Sequence, residues 1–148
     1  MLSGRRIAFD YGDVRIGIAV SDPSGLLASP IGAISNVEST LSSEVSKYLL
    51  EYQPIYIAVG VPKHLSGSAS AKEISVMNFV SKLRELTEVP IYAIDERLTT
   101  VSAARTLRDR GGNAKSSKSE IDAYAAAEIL DSALNQERIS GSPKERLL

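Results

Sequence analysis

Short apolar runs alternate with longer stretches of helical period along this chain. Residues 5–10, Arg5-Arg6-Ile7-Ala8-Phe9-Asp10, and residues 15–22 read as two strands. Tyr11-Gly12-Asp13-Val14 joins them, a turn short enough to make an antiparallel hairpin. In the second strand Ile16, Ile18 and Val20 alternate with Gly17 and Ala19, so one face is bulky and the other nearly bare. Asp10 shares its face with Ala8. Where the two small-residue faces coincide, Asp10 projects from a surface that something large can approach closely. A third strand is expected over roughly 28–36, its ends blurred by Pro30 and Gly32.

From Glu38 to Gln53 the period changes, and Leu41, Val45, Tyr48, Leu49 and Tyr52 fall on one helical face. Pro54 ends that helix and opens a buried strand, Ile55 to Val59, expected to break at Gly60-Val61-Pro62. A Ser- and Gly-rich loop, 63–69, precedes a helix over about 70–87 that turns Val76, Phe79, Val80, Leu83 and Leu86 inward. A fifth strand covers 91–95. Next comes a helix from Thr99 to Arg110, with Thr99 and Thr100 offering capping oxygens and Gly111-Gly112 a stop. A polar loop, 113–118, leads to a last helix over about 119–137, capped by Ser119, and residues 138–148 read as a flexible tail. This order predicts an α/β fold: a mixed five-stranded sheet, with a three-stranded antiparallel meander followed by parallel strands and helices on both faces. Residues 1–137 form one domain in this reading, with no room for a second lobe.

Composition narrows the classes. With 43% hydrophobic and 24% charged residues in 148, the chain reads as globular, and no apolar run approaches the ~20 residues that span a bilayer. The N-terminus lacks the pattern of a signal peptide, and the absence of cysteine excludes disulfides and thiolate ligands, so a cytoplasmic protein without membrane partners is expected. The net charge of −1 hides an asymmetry: residues 97–118 hold Arg97, Arg105, Arg108, Arg110, Lys115 and Lys118 against Asp109 alone. Such a patch suits a polyanion, and equally an ordinary exposed helix face.

Against that background four acidic residues stand out, because Asp10, the pair Asp95-Glu96, and Asp122 all fall at the ends of, or within, apolar elements. A carboxylate in such a setting needs a cation or several donors to offset its lost hydration. Each also has an ordinary explanation: Asp10 as a turn cap, one of Asp95-Glu96 as the partner of Arg97, and Asp122 as a first-turn residue favoured by the helix dipole. Taken together they suggest a metal site, since parallel strands end on the same side of a sheet and a last helix can deliver Asp122 there. Oxygen ligands favour Mg²⁺ or Mn²⁺, and two such ions activate water against a phosphodiester. Zinc is disfavoured, because His64 is the one histidine and lies in a polar loop. Gly12 and Gly60 permit close approach of a phosphate backbone, Arg15, Arg97, Lys115 and Lys118 can hold phosphates, and Thr99 and Thr100 start a helix that suits an anion.

Four motifs occur in order over about residues 5–134: Phe9-Asp10-Tyr11-Gly12 through Arg15-Ile16-Gly17-Ile18-Ala19-Val20-Ser21-Asp22; Val59-Gly60-Val61-Pro62 with Gly67; Asp95-Glu96-Arg97-Leu98-Thr99-Thr100; and Lys118-Ser119-Glu120-Ile121-Asp122-Ala123-Tyr124-Ala125-Ala126. In these the chain resembles the YqgF/RuvX family. The resemblance implies an RNase H-like fold and a divalent-metal nuclease of the bacterial cytoplasm, described as maturing precursor 16S ribosomal RNA at its 5′ end and historically as a Holliday junction resolvase. It places the family's acidic positions on Asp10, Glu96 and Asp122, and it prefers Glu96 to Asp95. In related resolvases an acid comes from the end of the fourth strand, where this chain has Gly60. The implied mechanism has Asp10 bridging two ions, with Glu96 and Asp122 each completing one shell.

Two readings from other classes compete. A nucleic-acid or ribosome-associated binding module would keep the fold without turnover. An actin-like ATPase shares the Asp-x-Gly hairpin, but the chain is too short for the second lobe that encloses a nucleotide. A monomer or weak homodimer is expected, and symmetric cutting of a branched DNA would require the dimer.

Overall fold

The computed structural model describes residues 1–63, 70–99 and 115–148, with side chains of the last segment from residue 118 onward. The hairpin forms as its alternation predicts: β1 (Arg6–Tyr11) pairs antiparallel with β2 (Arg15–Ser21), and β2 with β3 (Ala28–Ser35). The chain then runs through α1 (Glu38–Tyr52), β4 (Tyr56–Val61), α2 (Ala71–Leu86) and β5 (Ile91–Asp95). A single 3₁₀ turn, Glu96–Leu98, follows β5, and the last helix is α3 (Lys115–Ser140). β4 lies parallel to both β1 and β5, and the sheet order is β3-β2-β1-β4-β5-β6.

The two faces of the sheet differ as the side-chain sizes dictate. Ile7, Phe9, Ile16, Ile18, Ile57 and Val59 build a bulky face, against which α1 packs Leu41 and Val45, and α2 packs Val76, Phe79, Val80 and Leu83. Phe9 and Phe79 meet edge to face at 5.6 Å, which fixes the height of α2 above β1. The other face is paved with Ala8, Ala19 and Ala58, and α3 lies on it through Ala125, Ala126, Ile129, Leu130, Ala133 and Leu134. Small residues on both sides let the backbones come close. A Cβ at Gly17 would lie 2.0 Å from the Asp122 carbonyl oxygen, so any side chain there would push the helix off the sheet.

Four boundaries differ from the sequence-based expectation, each for a physical reason. β4 does not break at Gly60: Gly60 and Val61 pair with Ile94 and Asp95, because the glycine leaves room for the Ile129 side chain of α3. The last helix begins at Lys115, so Ser119 is an interior residue and not its cap. The polar turn ahead of Ser119 carries no apolar signal, although lysine and serine propagate a helix well enough once α3 is anchored downstream. The same helix continues to Ser140, past the expected end at 137. Beyond it, where a tail was expected, Pro143 is buried and β6 (Glu145–Arg146) pairs antiparallel with Tyr92 and Ala93, making six strands instead of five. A two-residue strand is too short to leave a periodic pattern.

At the N-terminal edge of the sheet, Arg6 and Glu137 form a buried ion pair, 0% and 4% exposed, with Nη2 to Oε2 at 2.6 Å. Arg6 Nε donates to the other carboxylate oxygen at 3.1 Å, and the Tyr56 hydroxyl donates to that oxygen at 3.0 Å. The remaining guanidinium hydrogens reach the carbonyls of Leu2, Gly4 and Pro23. Burial, followed by the Glu137 charge, holds the Tyr56 phenol well above its ordinary range.

Candidate nuclease site

The opposite, C-terminal edge of β1 gathers the acidic residues. Asp10 is the penultimate residue of β1 and is 3% exposed. Strand alternation puts it on the α3 face with Ala8. Its neighbour on β2 is Gly17, and on β4 the residue after the Phe9–Val59 pair is Gly60. A glycine thus flanks Asp10 on each side. The helix α3 takes up the room of those two missing side chains, through the Asp122 carbonyl oxygen at Gly17 and the Ile129 side chain at Gly60, where Glu96 Oε1 is also close.

Glu96 reaches the space around Asp10 because of how β5 ends. Asp95 caps the 3₁₀ turn, accepting from the Arg97 N–H at 2.9 Å, and it chelates the Arg97 guanidinium through Nε and Nη2, the latter at 2.7 Å. Those Arg97 bonds hold the Asp95 carboxyl below its usual range and raise Arg97 in turn. The turn brings Glu96 Oε1 to 3.1 Å from where a Cβ at Gly60 would stand. Asp122 enters from the other side. It is 4% exposed, its carbonyl rests on Gly17, and its Oδ2 accepts a bond of 2.7 Å from Arg15 Nε. Because α3 starts at Lys115, Asp122 stands beyond the first turn, where the helix dipole that would explain a first-turn acid has faded.

The other expected site residues divide. Arg15 joins the acidic cluster at the first position of β2, its side chain 27% exposed. Gly12 is required by the turn itself, since a Cβ there would lie 2.4 Å from the Arg15 carbonyl oxygen, and its own carbonyl accepts from Asn36 Nδ2. Arg97 is half-exposed and engaged with Asp95. Both the amide and the hydroxyl of Thr99 bond the Glu96 carbonyl, which closes the 3₁₀ turn. Lys118 is exposed on α3. His64 and Thr100, the Lys115 side chain, and the helix expected over 99–110 beyond its first residue lie outside the described residues. Among the described residues no three His, Cys, Asp or Glu side chains are grouped so as to hold an ion. Sequence reasoning missed Lys72, whose Nζ donates to the Tyr11 carbonyl at 2.8 Å and lies over the Tyr11 ring, next to Asp10 in the chain. The available signal was a lysine in the first turn of α2, where the helix dipole favours acids.

A family model described as "RuvX: Holliday junction resolvase" matches residues 4–136, a span that includes Asp10, Glu96 and Asp122. The chain belongs to this family. A protein of Streptomyces coelicolor named "Putative pre-16S rRNA nuclease" is 40% identical over 97% of this chain and 87% of its own length. A Streptomyces avermitilis protein of the same name is 41% identical over 95% and 92%. Among solved structures, Thermus thermophilus RuvC in complex with a Holliday junction substrate superposes with a TM-score of 0.62 at 17% identity, covering 97% of this chain and 99% of that one. The chain therefore has the RNase H-like fold, with Asp10 at the C-terminal end of β1, Glu96 just after β5 and Asp122 on α3.

Proposed function

We propose that this chain is a divalent-metal-dependent nuclease that hydrolyses phosphodiester bonds in precursor 16S ribosomal RNA near its 5′ end, with the six-stranded sheet and its helices as one nuclease domain. The observation that carries the reading is the flanking of Asp10 by Gly17 and Gly60, one beneath Asp122 and the other against Glu96. The names of the relatives supply the substrate. All the donors are oxygens, which suits Mg²⁺ or Mn²⁺ in preference to zinc. Asp10, Glu96 and Asp122 would hold the metal, Asp122 exchanging its bond with Arg15 for it. A bound ion would polarise the scissile phosphate and lower the pKa of the attacking water.

The residues of the chain do the rest. Arg15, once parted from Asp122, is a guanidinium within reach of the same space and donates to a phosphate oxygen there. Gly17 and Gly60 let α3 approach the sheet beside Asp10, with the Asp122 backbone against the first and Ile129 against the second. Ile129 and the alanines of α3 belong to the apolar layer packed on that face of the sheet. Lys72 and Lys118 add positive charge at the rim, which favours arrival of a polyanion from solution.

The family description favours a second substrate, branched DNA. Purified protein with Mn²⁺ is to be incubated with a precursor 16S rRNA fragment and with a synthetic four-way junction, using Asp122→Asn as the control. Cleavage of the RNA, lost in the variant, is expected. Cleavage of the junction alone would transfer the proposal to a resolvase, and binding of either substrate with no turnover would reduce the chain to a binding module.

A further inference from the structure

Beside the acidic edge, between the rim strand β3 and the N-terminal half of α3, lies an open groove of about 270 Å³. Its floor is a β-bulge. Ile18 pairs with Gly32 and Ala19 with Pro30, so Ile31 is left over and the ladder is interrupted there. A Cβ at Gly32 would meet nothing within 4 Å. The opposite wall is Glu120, Ala123 and Tyr124 of α3. Tyr124 is 60% exposed although Asp122, Ala123, Ala125 and Ala126 around it are buried, and Ile31 is 39% exposed.

Resting on the nuclease reading, we propose that this groove is a stacking subsite for one unpaired nucleobase of the substrate strand. Three observations choose that occupant. The lining is mainly apolar, with an aromatic face presented to solvent, which suits the flat π-face of a base whatever its identity. Among the described residues its one charged wall, Glu120, repels phosphate but accepts a hydrogen bond from an exocyclic amino group, so it selects the base over the backbone. The groove also lies near the acidic edge. Gly32 precedes Ala33, which pairs with Gly17, and Gly17 pairs with Asp10, so the groove is two strand spacings or about 10 Å from Asp10. A strand whose scissile phosphate lies at Asp10 would thus carry a neighbouring base into the groove.

The chain contains no tryptophan, which makes the test direct. Tyr124→Trp, at an exposed position that tolerates substitution, places a single fluorophore in the groove. In an Asp10→Asn background, which prevents turnover, the protein is titrated with a short single-stranded oligoribonucleotide and with an abasic oligomer of the same sugar–phosphate length. Saturable quenching by the first and none by the second is expected. In otherwise unaltered protein, Tyr124→Ala should weaken oligonucleotide binding about tenfold while Tyr124→Phe retains it. Equal responses to both oligomers would overturn the proposal, as would no response from a protein that binds RNA. A fluorescence change that follows protein concentration without RNA would also overturn it, assigning the groove to a second copy. Quenching with no cleavage by the unaltered protein would sink the nuclease reading and leave the base subsite standing.

Discussion

Two arginine–carboxylate pairs tie α3 to the sheet, one at each end of it. At the N-terminal edge, Arg6 and Glu137 are sealed from solvent, every guanidinium hydrogen has an acceptor, and Tyr56 completes the carboxylate. At the C-terminal edge, Arg15 is 27% exposed and, among the described residues, holds Asp122 through Nε alone. The first pair spends all its hydrogen-bonding capacity inside the protein and fastens Met1 to Gly4, the turn at Pro23 and the end of α3 into one unit. In the second, the rest of the Arg15 guanidinium has no acceptor among the described residues and is partly exposed. One kind of contact is thus a clasp, fully satisfied and sealed, at one end of the sheet and only partly satisfied at the other.

Four predictions separate or sharpen that contrast. The largest effect is expected at the acidic edge: Asp10→Asn should lower the cleavage rate about a thousandfold, several kcal/mol of lost transition-state stabilisation, measured by single-turnover assay on precursor RNA. At the clasp, Glu137→Gln strands the Arg6 charge in the interior. It should cost about 3–5 kcal/mol in urea unfolding, with little change in cleavage per folded molecule. Arg15→Gln should shift the balance the other way, costing less stability than Glu137→Gln because the guanidinium is partly solvated, yet weakening RNA binding and flattening its salt dependence.

The smallest effect concerns Asp22 in the turn after β2, whose carboxylate accepts from Ser24 and from the amides of Leu26 and Leu27. The Ser24 bond first, then those amides, lower its pKa from 3.8 to about 2. A depressed carboxylate stabilises the fold above its unfolded pKa and loses that contribution as pH falls through the folded value. The stability difference between the parent and Asp22→Asn should therefore be constant above about pH 5, shrink as pH falls toward the folded value and vanish only by about pH 1, as followed by circular dichroism.

The strands and the two-faced sheet were legible because they rest on alternation, and alternation is local. Gly17 and Ala19 opposite Ala8 and Asp10 announced a bare face, although they could not say that α3 would cover it. The clasp was invisible: Arg6 reads as an ordinary strand-end charge, and Glu137 fell at the expected end of the last helix, 131 residues away in the chain. Its partners are joined only by tertiary packing, which no periodic pattern records. At the acidic edge, spacing could not separate Asp95 from Glu96, whereas the fold gives them different surroundings: Asp95 caps its own turn and holds Arg97, and Glu96 Oε1 lies against Gly60. Lys72 escaped notice because its role depends on a backbone carbonyl, which every sequence position possesses.

The account turns on the two ends of the sheet doing different work, and a paired measurement reads that division directly. Asp122→Asn and Glu137→Gln are compared for urea-unfolding free energy and for cleavage of precursor RNA per folded molecule under the same Mn²⁺ conditions. Asp122→Asn is expected to keep most of its stability and lose cleavage, and Glu137→Gln to lose stability and keep cleavage. Full cleavage by Asp122→Asn, or loss of cleavage confined to Glu137→Gln, would contradict the assignment of the acidic edge as the site of chemistry.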